Sequence, residues 1–202
     1  MRNDLAEYLS STEQEFNSIP DQRKAVLAEI TGYIRSQIES GGESALIFIC
    51  THNSRRSHFC QVWAQLAAFY YGQSGISTYS GGTETTAFHP NAIRALEEAG
   101  FRIENAGGDN PRYRLHYDSG EPPLTCFSKM YDDPVNPQNG FAAIMTCTDA
   151  DENCPIVHGA DVRMSLPYQD PKVADGTPRE KETYRRRCRQ IATEMCYMIS
   201  AV

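Results

Sequence analysis

The six-residue run "ALIFIC", positions 45–50, constrains this chain more than any other stretch. It is too short for a buried helix and lacks the polar alternation of a half-exposed strand. It therefore fits the middle of a parallel sheet covered on both faces. A polar and basic stretch follows, and apolar residues then return at helical spacing. Phe59, Trp63, Leu66 and Tyr70 share one face before Gly72 ends the pattern. The same rhythm recurs downstream. "ISTYS" (76–80) leads through a glycine loop into a helix over Pro90 to Ala99, and "FAAIMTC" (141–147) and "VRMSL" (162–166) read as further strands. The last pattern, 177–200, is an amphipathic helix with Pro178 at its start and Tyr184, Cys188, Ile191, Met195 and Met198 inward. Strands alternating with helices predict an α/β fold with a parallel sheet and right-handed crossovers.

Two stretches stand outside this rhythm. Residues 1–42 read as an N-terminal helical extension of two helices, preceding a domain over 43–202. Leu5, Tyr8 and Leu9 line the first helix; Leu27, Ile30, Ile34 and Ile38 line the second, with Pro20 in its first turn and Gly41-Gly42 as its stop. Residues 105–140 form an insertion in which "YRLHY" and "LTCFSK" flank "DSGEPP", the pattern of a β-hairpin. Residues 101–104 can start another strand.

At 202 residues and 40% hydrophobic content the chain suits one domain with room for such additions. A mean hydropathy of -0.52, and no apolar run near the roughly 20 residues of a spanning helix, argue against a membrane protein. No apolar h-region follows Arg2, so a secretory signal is not expected. The net charge of -7 disfavours nucleic acid, and Arg185, Arg186, Arg187 and Arg189 read as a solvated helix face. Seven cysteines without an export signal point to a reducing, cytoplasmic compartment, and an odd number cannot all pair. Cys60, Cys188 and Cys196 lie in helical patterns beside apolar neighbours and read as buried hydrophobes, and Cys126 is assigned no role.

Cys50 is different, because it ends a strand where a loop feeds a helix. In open parallel sheets ligands bind there. A tight loop over Thr51, His52, Asn53, Ser54, Arg55, Arg56 and Ser57 can turn backbone N–H groups inward at the positive end of the next helix. Those donors, with the planar fork of Arg56, fit a tetrahedral dianion such as phosphate or arsenate. The same field favours a thiolate, the nucleophilic form. Ser57 can donate to it and Asn53 can brace the loop. The C-x5-R spacing is weak evidence by itself, and a buried cysteine beside a surface arginine would also produce it. The strand-to-helix context gives it weight.

"CTHNSRRS" followed by "TETTAFHPNAIRALEEAGF" resembles the low-molecular-weight tyrosine phosphatase superfamily, and within it the thioredoxin-coupled arsenate reductases. The resemblance covers 45–104 and 141–202. It implies a four-stranded parallel sheet flanked by helices, Cys50 as nucleophile, and Arg56, Ser57 and Asn53 as its loop partners. It also implies an Asp-Pro proton donor late in the chain. "YQDPKVADG" supplies Asp170-Pro171, which is preferred over Asp133-Pro134 because the latter lies in the insertion. "MTCTDADENCP" resembles the reductase branch and makes Cys147 and Cys154 relay thiols whose disulfide a thioredoxin-type reductant recycles, with no cofactor. Asp149, Asp151 and Glu152 between them suggest an exposed loop that can loosen. C-x6-C-x3-H, ending on His158, is not a usual zinc spacing, so no metal is expected.

The chain also departs from the family. Arg55 stands where a second loop cysteine is common, and Lys172-Val173-Ala174 replace the aromatic residues that phosphatases often carry after Asp-Pro. The expected activity is reduction of arsenate to arsenite. The alternatives are a tyrosine or phosphate-monoester phosphatase working through a cysteinyl-phosphate, and a non-enzymatic oxyanion sensor whose insertion docks a partner.

Overall fold

The computed structural model describes residues 1–154 and 156–202. Helices α1 (Asn3–Glu13) and α2 (Asp21–Glu39), joined through a 3-10 turn at Phe16–Ser18, precede strand β1 (Ser44–Cys50). Helix α3 (Arg56–Tyr70), strand β2 (Ile76–Gly82) and helix α4 (Pro90–Glu98) follow. Strands β3 (Arg102–Asn105), β4 (Tyr113–His116) and β5 (Leu124–Cys126) come next. Strand β6 (Phe141–Met145), the short helix α5 (Thr148–Asn153), strand β7 (Ala160–Ser165) and helix α6 (Glu180–Ser200) complete the chain. Among the described residues no helix is long and apolar enough to cross a membrane.

The main sheet has four parallel strands in the order β2-β1-β6-β7. β1 is interior to it, which is why its sequence is apolar at every position from 45 to 50. Its side chains alternate between two cores. Leu46 and Phe48 join the large core with α1, α2, α3, α4 and α6. Ile47, Ile49 and Cys50 enter a smaller one with Met145, Cys147, Ala150 and Cys154. The long helices thus cover one face, and α5 with part of the insertion covers the other.

Several expectations are corrected in detail. The strand expected at 101–104 belongs to a separate antiparallel sheet, β3-β4-β5, so the hairpin gains a third strand. The last helix begins at Glu180, two residues after Pro178, and β6 ends at Met145 rather than Cys147. The acidic stretch after Cys147 is not an open loop. Thr148–Asn153 is helical, and Asp151 is tied to Arg163 (2.7 Å) and accepts from Ser165 Oγ at 2.5 Å.

The extension is built into the core. Leu5, Leu9, Leu27, Ile30 and Ile34 are fully buried, and Tyr8 stacks on Trp63 with ring centroids 5.0 Å apart. The arginines of α6 are accordingly not all solvated. Arg189 pairs with Glu15 at 2.9 Å and lies 4.6 Å over the Tyr8 ring. Truncating Leu9 to Ala opens a cavity between α1 and the core, and chemical denaturation should show a loss of about 2–5 kcal/mol. A loss well under 1 kcal/mol would make the extension peripheral.

Candidate active site

The loop between β1 and α3 is shaped by what its carbonyls do. The Cys50 carbonyl accepts from Thr83 N–H at 3.2 Å and that of Thr51 from Glu84 N–H at 2.8 Å. The His52 carbonyl accepts from Ser128 Oγ at 2.9 Å, and that of Ser54 from His89 N–H at 3.0 Å. With these oxygens bonded outward, the peptide units must face their N–H groups the other way. Among the described residues none accepts a hydrogen bond from the N–H groups of Thr51 to Arg56. A ring of free donors at the start of a 15-residue helix is suited to an anion.

Asn53 makes the turn possible. It holds φ +44°, the one non-glycine residue at positive φ among those described, a region that asparagine tolerates better than most. Its side chain is fully buried. Nδ2 donates to Ser57 Oγ at 2.9 Å, and Oδ1 accepts from Lys129 N–H at 3.0 Å. Ser57 Oγ then lies 3.1 Å from Cys50 Sγ. Behind the loop, Gly82 lets the chains approach: a Cβ there would sit 2.3 Å from the Glu84 carbonyl and 2.8 Å from Asn53 N.

Arg56 is nearly buried and bound on one side only. Nη1 donates to the Tyr168 carbonyl at 3.1 Å, Nη2 meets Asp170 Oδ2 at 2.7 Å, and Nε has no partner. Asp170 also caps the 3-10 turn Pro171–Ala174 by accepting from Lys172 N–H at 3.0 Å. Of the two Asp-Pro pairs, it is therefore Asp170 that stands beside the loop. Asp133 only closes a local turn onto Val135 N–H (3.0 Å). Arg55 turns away toward α6, where Nε donates to Tyr184 Oη at 2.7 Å and Nη2 lies 3.4 Å from Asp175. His52 faces outward to Glu84 at 3.3 Å. Within the loop, then, Arg56 makes the close ion pair with Asp170, Arg55 Nε lies 4.0 Å from the same carboxylate, and Asn53 and Ser57 add polar side chains.

Cys147 lies across from the loop, 3.4 Å from Thr51 Oγ1, and its Sγ caps α5 by accepting from Ala150 N–H at 3.4 Å. Cys154 ends that helix, its Sγ donating to the Ile156 carbonyl at 3.6 Å. Pro155, part of the quoted cysteine motif, lies outside the described residues. Arg163 Nε donates to the Cys154 carbonyl at 3.1 Å while its guanidinium pairs with Asp151. The remaining thiols are walled off. Burial pushes Cys126, Cys188 and Cys196 up to about 12 and Cys60 well above its ordinary range, as expected of packing residues.

The insertion contributes more than the sequence revealed. Ser128, Lys129 and Tyr131 run beside the edge of β2. Lys129 carbonyl accepts from Gly82 N–H at 2.8 Å, and Tyr131 N–H donates back to Gly82 at 3.0 Å. The only signal for this was the paired glycines Gly81-Gly82, because backbone donors carry no residue signature.

A parallel sheet with a C-x5-R anion loop at the end of its first strand is the architecture of the low-molecular-weight phosphatase superfamily. Solved structures agree on the fold. A low-molecular-weight protein tyrosine phosphatase from T. tengcongensis matches with TM-score 0.54 at 14% identity, over 79% of this chain and 100% of that one. One from Vibrio cholerae O395 gives 0.53 at 13%, over 77% and 94%. No family model matches the sequence. An arsenate reductase of Bacillus subtilis is 31% identical over 144 residues, 71% of this chain and 86% of that protein. Another, from Bacillus licheniformis, is 29% identical over 147 residues, 73% and 88%. The chain belongs to the arsenate reductase family, and it is an enzyme.

Two outcomes follow from this geometry. Asn53→Gly keeps the backbone but strands the buried Lys129 N–H, and should cost about 1–3 kcal/mol in denaturant unfolding. Asn53→Ala should cost more, because it also opposes positive φ. His58, fully buried beside the loop, is held well below 6.5 by burial, with Lys129 adding to the effect. A depressed histidine stabilises the fold while neutral, so that stability is present above pH 6.5 and lost as pH falls below it. His58→Gln should therefore flatten the acid limb of stability against pH, by up to about 1.4 kcal/mol per unit. Parallel limbs would exclude His58 as the cause.

Proposed function

We propose that the protein reduces arsenate to arsenite by a three-thiol relay and is recycled by a thioredoxin-type reductant. The observation that carries this reading is that Cys50, Cys147 and Cys154 share one small buried cluster on a single face of the sheet, apart from the four packing cysteines. The arsenate reductase relatives support the substrate.

In the first step the Cys50 thiolate attacks arsenic, an S–As bond forms, and one arsenate oxygen leaves as water. Asp170, beside Arg56, is the proposed proton donor. Arg56 and the inward N–H groups hold the remaining oxygens. Next, the Cys147 thiolate attacks Sγ of Cys50. A disulfide forms, the S–As bond breaks, and its electron pair stays on arsenic, which leaves as arsenite. Cys154 then attacks Cys147, returning Cys50 as thiolate and leaving a Cys147–Cys154 disulfide for the external dithiol. Residues 147–154 must unwind from α5 for that last transfer, which means releasing Asp151 and Cys154 from Arg163. Hydrolysis of phosphate monoesters would need only Cys50, Arg56 and Asp170.

The test is turnover with arsenate, thioredoxin, thioredoxin reductase and NADPH, beside a phosphate-ester assay. Cys147→Ser should stall with arsenic still on Cys50. Cys154→Ser should release one arsenite per enzyme and trap a Cys50–Cys147 disulfide visible by mass spectrometry. Ester hydrolysis should survive both changes. If both variants turn arsenate over at the parent rate, the relay is wrong and the phosphatase reading takes its place.

A further inference from the structure

A second concentration of arginines lies where the extension meets α6, and nothing in the proposed catalysis uses it. A groove of about 410 Å³ there is lined by Pro20 and Arg23 at the start of α2, by Tyr168 and Gln169, and by Arg186 and Arg187. It continues, through Pro20 and Arg186, into a neighbouring groove that Arg185 and Arg189 line.

The charges here do not balance. Arg185 pairs with Glu182 at 2.7 Å and Arg189 with Glu15 at 2.9 Å. Glu194 is engaged by other partners: Oε2 takes Arg23 Nε and Tyr168 Oη, both at 2.7 Å, and Oε1 takes Gln190 Nε2 at 2.9 Å. Arg186 and Arg187 have no carboxylate within ion-pair distance among the described residues. Two guanidinium donors, Arg23 Nη2 and Arg187 Nε, are buried with no acceptor. Burial and the adjoining Arg186 push the Arg187 guanidinium below its ordinary range, and Glu194 and Tyr168 offset them only in part. The N-terminus of α2, capped by no side chain, starts at the groove's rim. Buried guanidinium N–H groups are normally satisfied, and a chain of net charge -7 has carboxylates to spare. Arg186 and Arg187, without a carboxylate partner and lining one groove with Arg23, are the complement of an anion, and the buried donors of Arg23 and Arg187 behind it have no acceptor of their own.

We propose that this groove is a second anion site, taking a free tetrahedral inorganic dianion between Arg23, Arg186 and Arg187. Guanidinium forks match such an ion with paired N–H donors. The site is separate from the catalytic loop but shares a segment with it. Arg23 Nη1 donates to the Pro167 carbonyl and Arg56 Nη1 to the next one, Tyr168, each at 3.1 Å.

Calorimetric titration of the full chain with inorganic phosphate, at constant ionic strength, tests this. The parent should bind two ions. Arg56→Ala should remove the catalytic-loop site and leave the groove. The pair R186Q/R187Q should weaken the groove at least tenfold and leave the loop site unchanged. R186Q alone, at an exposed position, should weaken it several-fold in a protein whose melting temperature is that of the parent. A single site in the parent that Arg56→Ala abolishes would overturn the proposal, as would a second site indifferent to R186Q.

Discussion

The candidate active site rests on the outward bonding of the loop carbonyls after β1. Four of them are claimed by Thr83, Glu84, Ser128 and His89, which come from the β2–α4 connection and the insertion. A peptide unit that commits its oxygen in one direction commits its N–H in the opposite one. The donors for an anion are therefore oriented by partners that never touch it. Asn53 is the hinge of this arrangement, since only a residue tolerant of positive φ can reverse the chain there, and its amide ties the reversal to Ser57 and Lys129.

The sheet separates two kinds of cysteine. Those facing the long helices pack as small hydrophobes, and burial holds them protonated. Those on the opposite face lie at the C-terminal end of β1, just beyond β6, and at the end of α5, under a thin cover only one short helix deep. Period-two alternation along β1 and β6 decides which face a residue joins. Cys147 follows the alternation of Phe141, Ala143 and Met145 just beyond β6, whereas Cys50 departs from that of β1 because the chain turns into the loop there.

How much of this could be read beforehand follows from where each signal resides. Strands β1 and β6 were legible because interior parallel strands are continuously apolar, whereas β2 and β7, at the sheet edges, carry polar residues and were read from the strand-helix rhythm. The anion loop was legible because its charged members are side chains at fixed spacing, and chain order was enough to favour Asp170 over Asp133. The brace from Lys129 was not legible, because a backbone N–H leaves no mark on residue identity. Nor was the pairing of Arg189 with Glu15, partners 174 positions apart in a chain read locally. Helix α5 left little trace for another reason: five of its six residues are polar, and Ala150 alone shows no apolar period. The strand at 102–105 was seen, but its sheet was not, since four residues with no clear face pattern fit either neighbour.

The pre-set loop also has a kinetic consequence. It gathers inward N–H dipoles and the Arg56 guanidinium, itself paired with Asp170, on a protein whose net charge of -7 repels anions. At physiological salt that repulsion is screened over about 8 Å, roughly the distance at which aligned N–H dipoles and one arginine begin to be felt. An approaching dianion therefore meets a short barrier followed by a steep local well. Added salt lowers the barrier before it erodes the well, so dilute buffer is where capture is slowest.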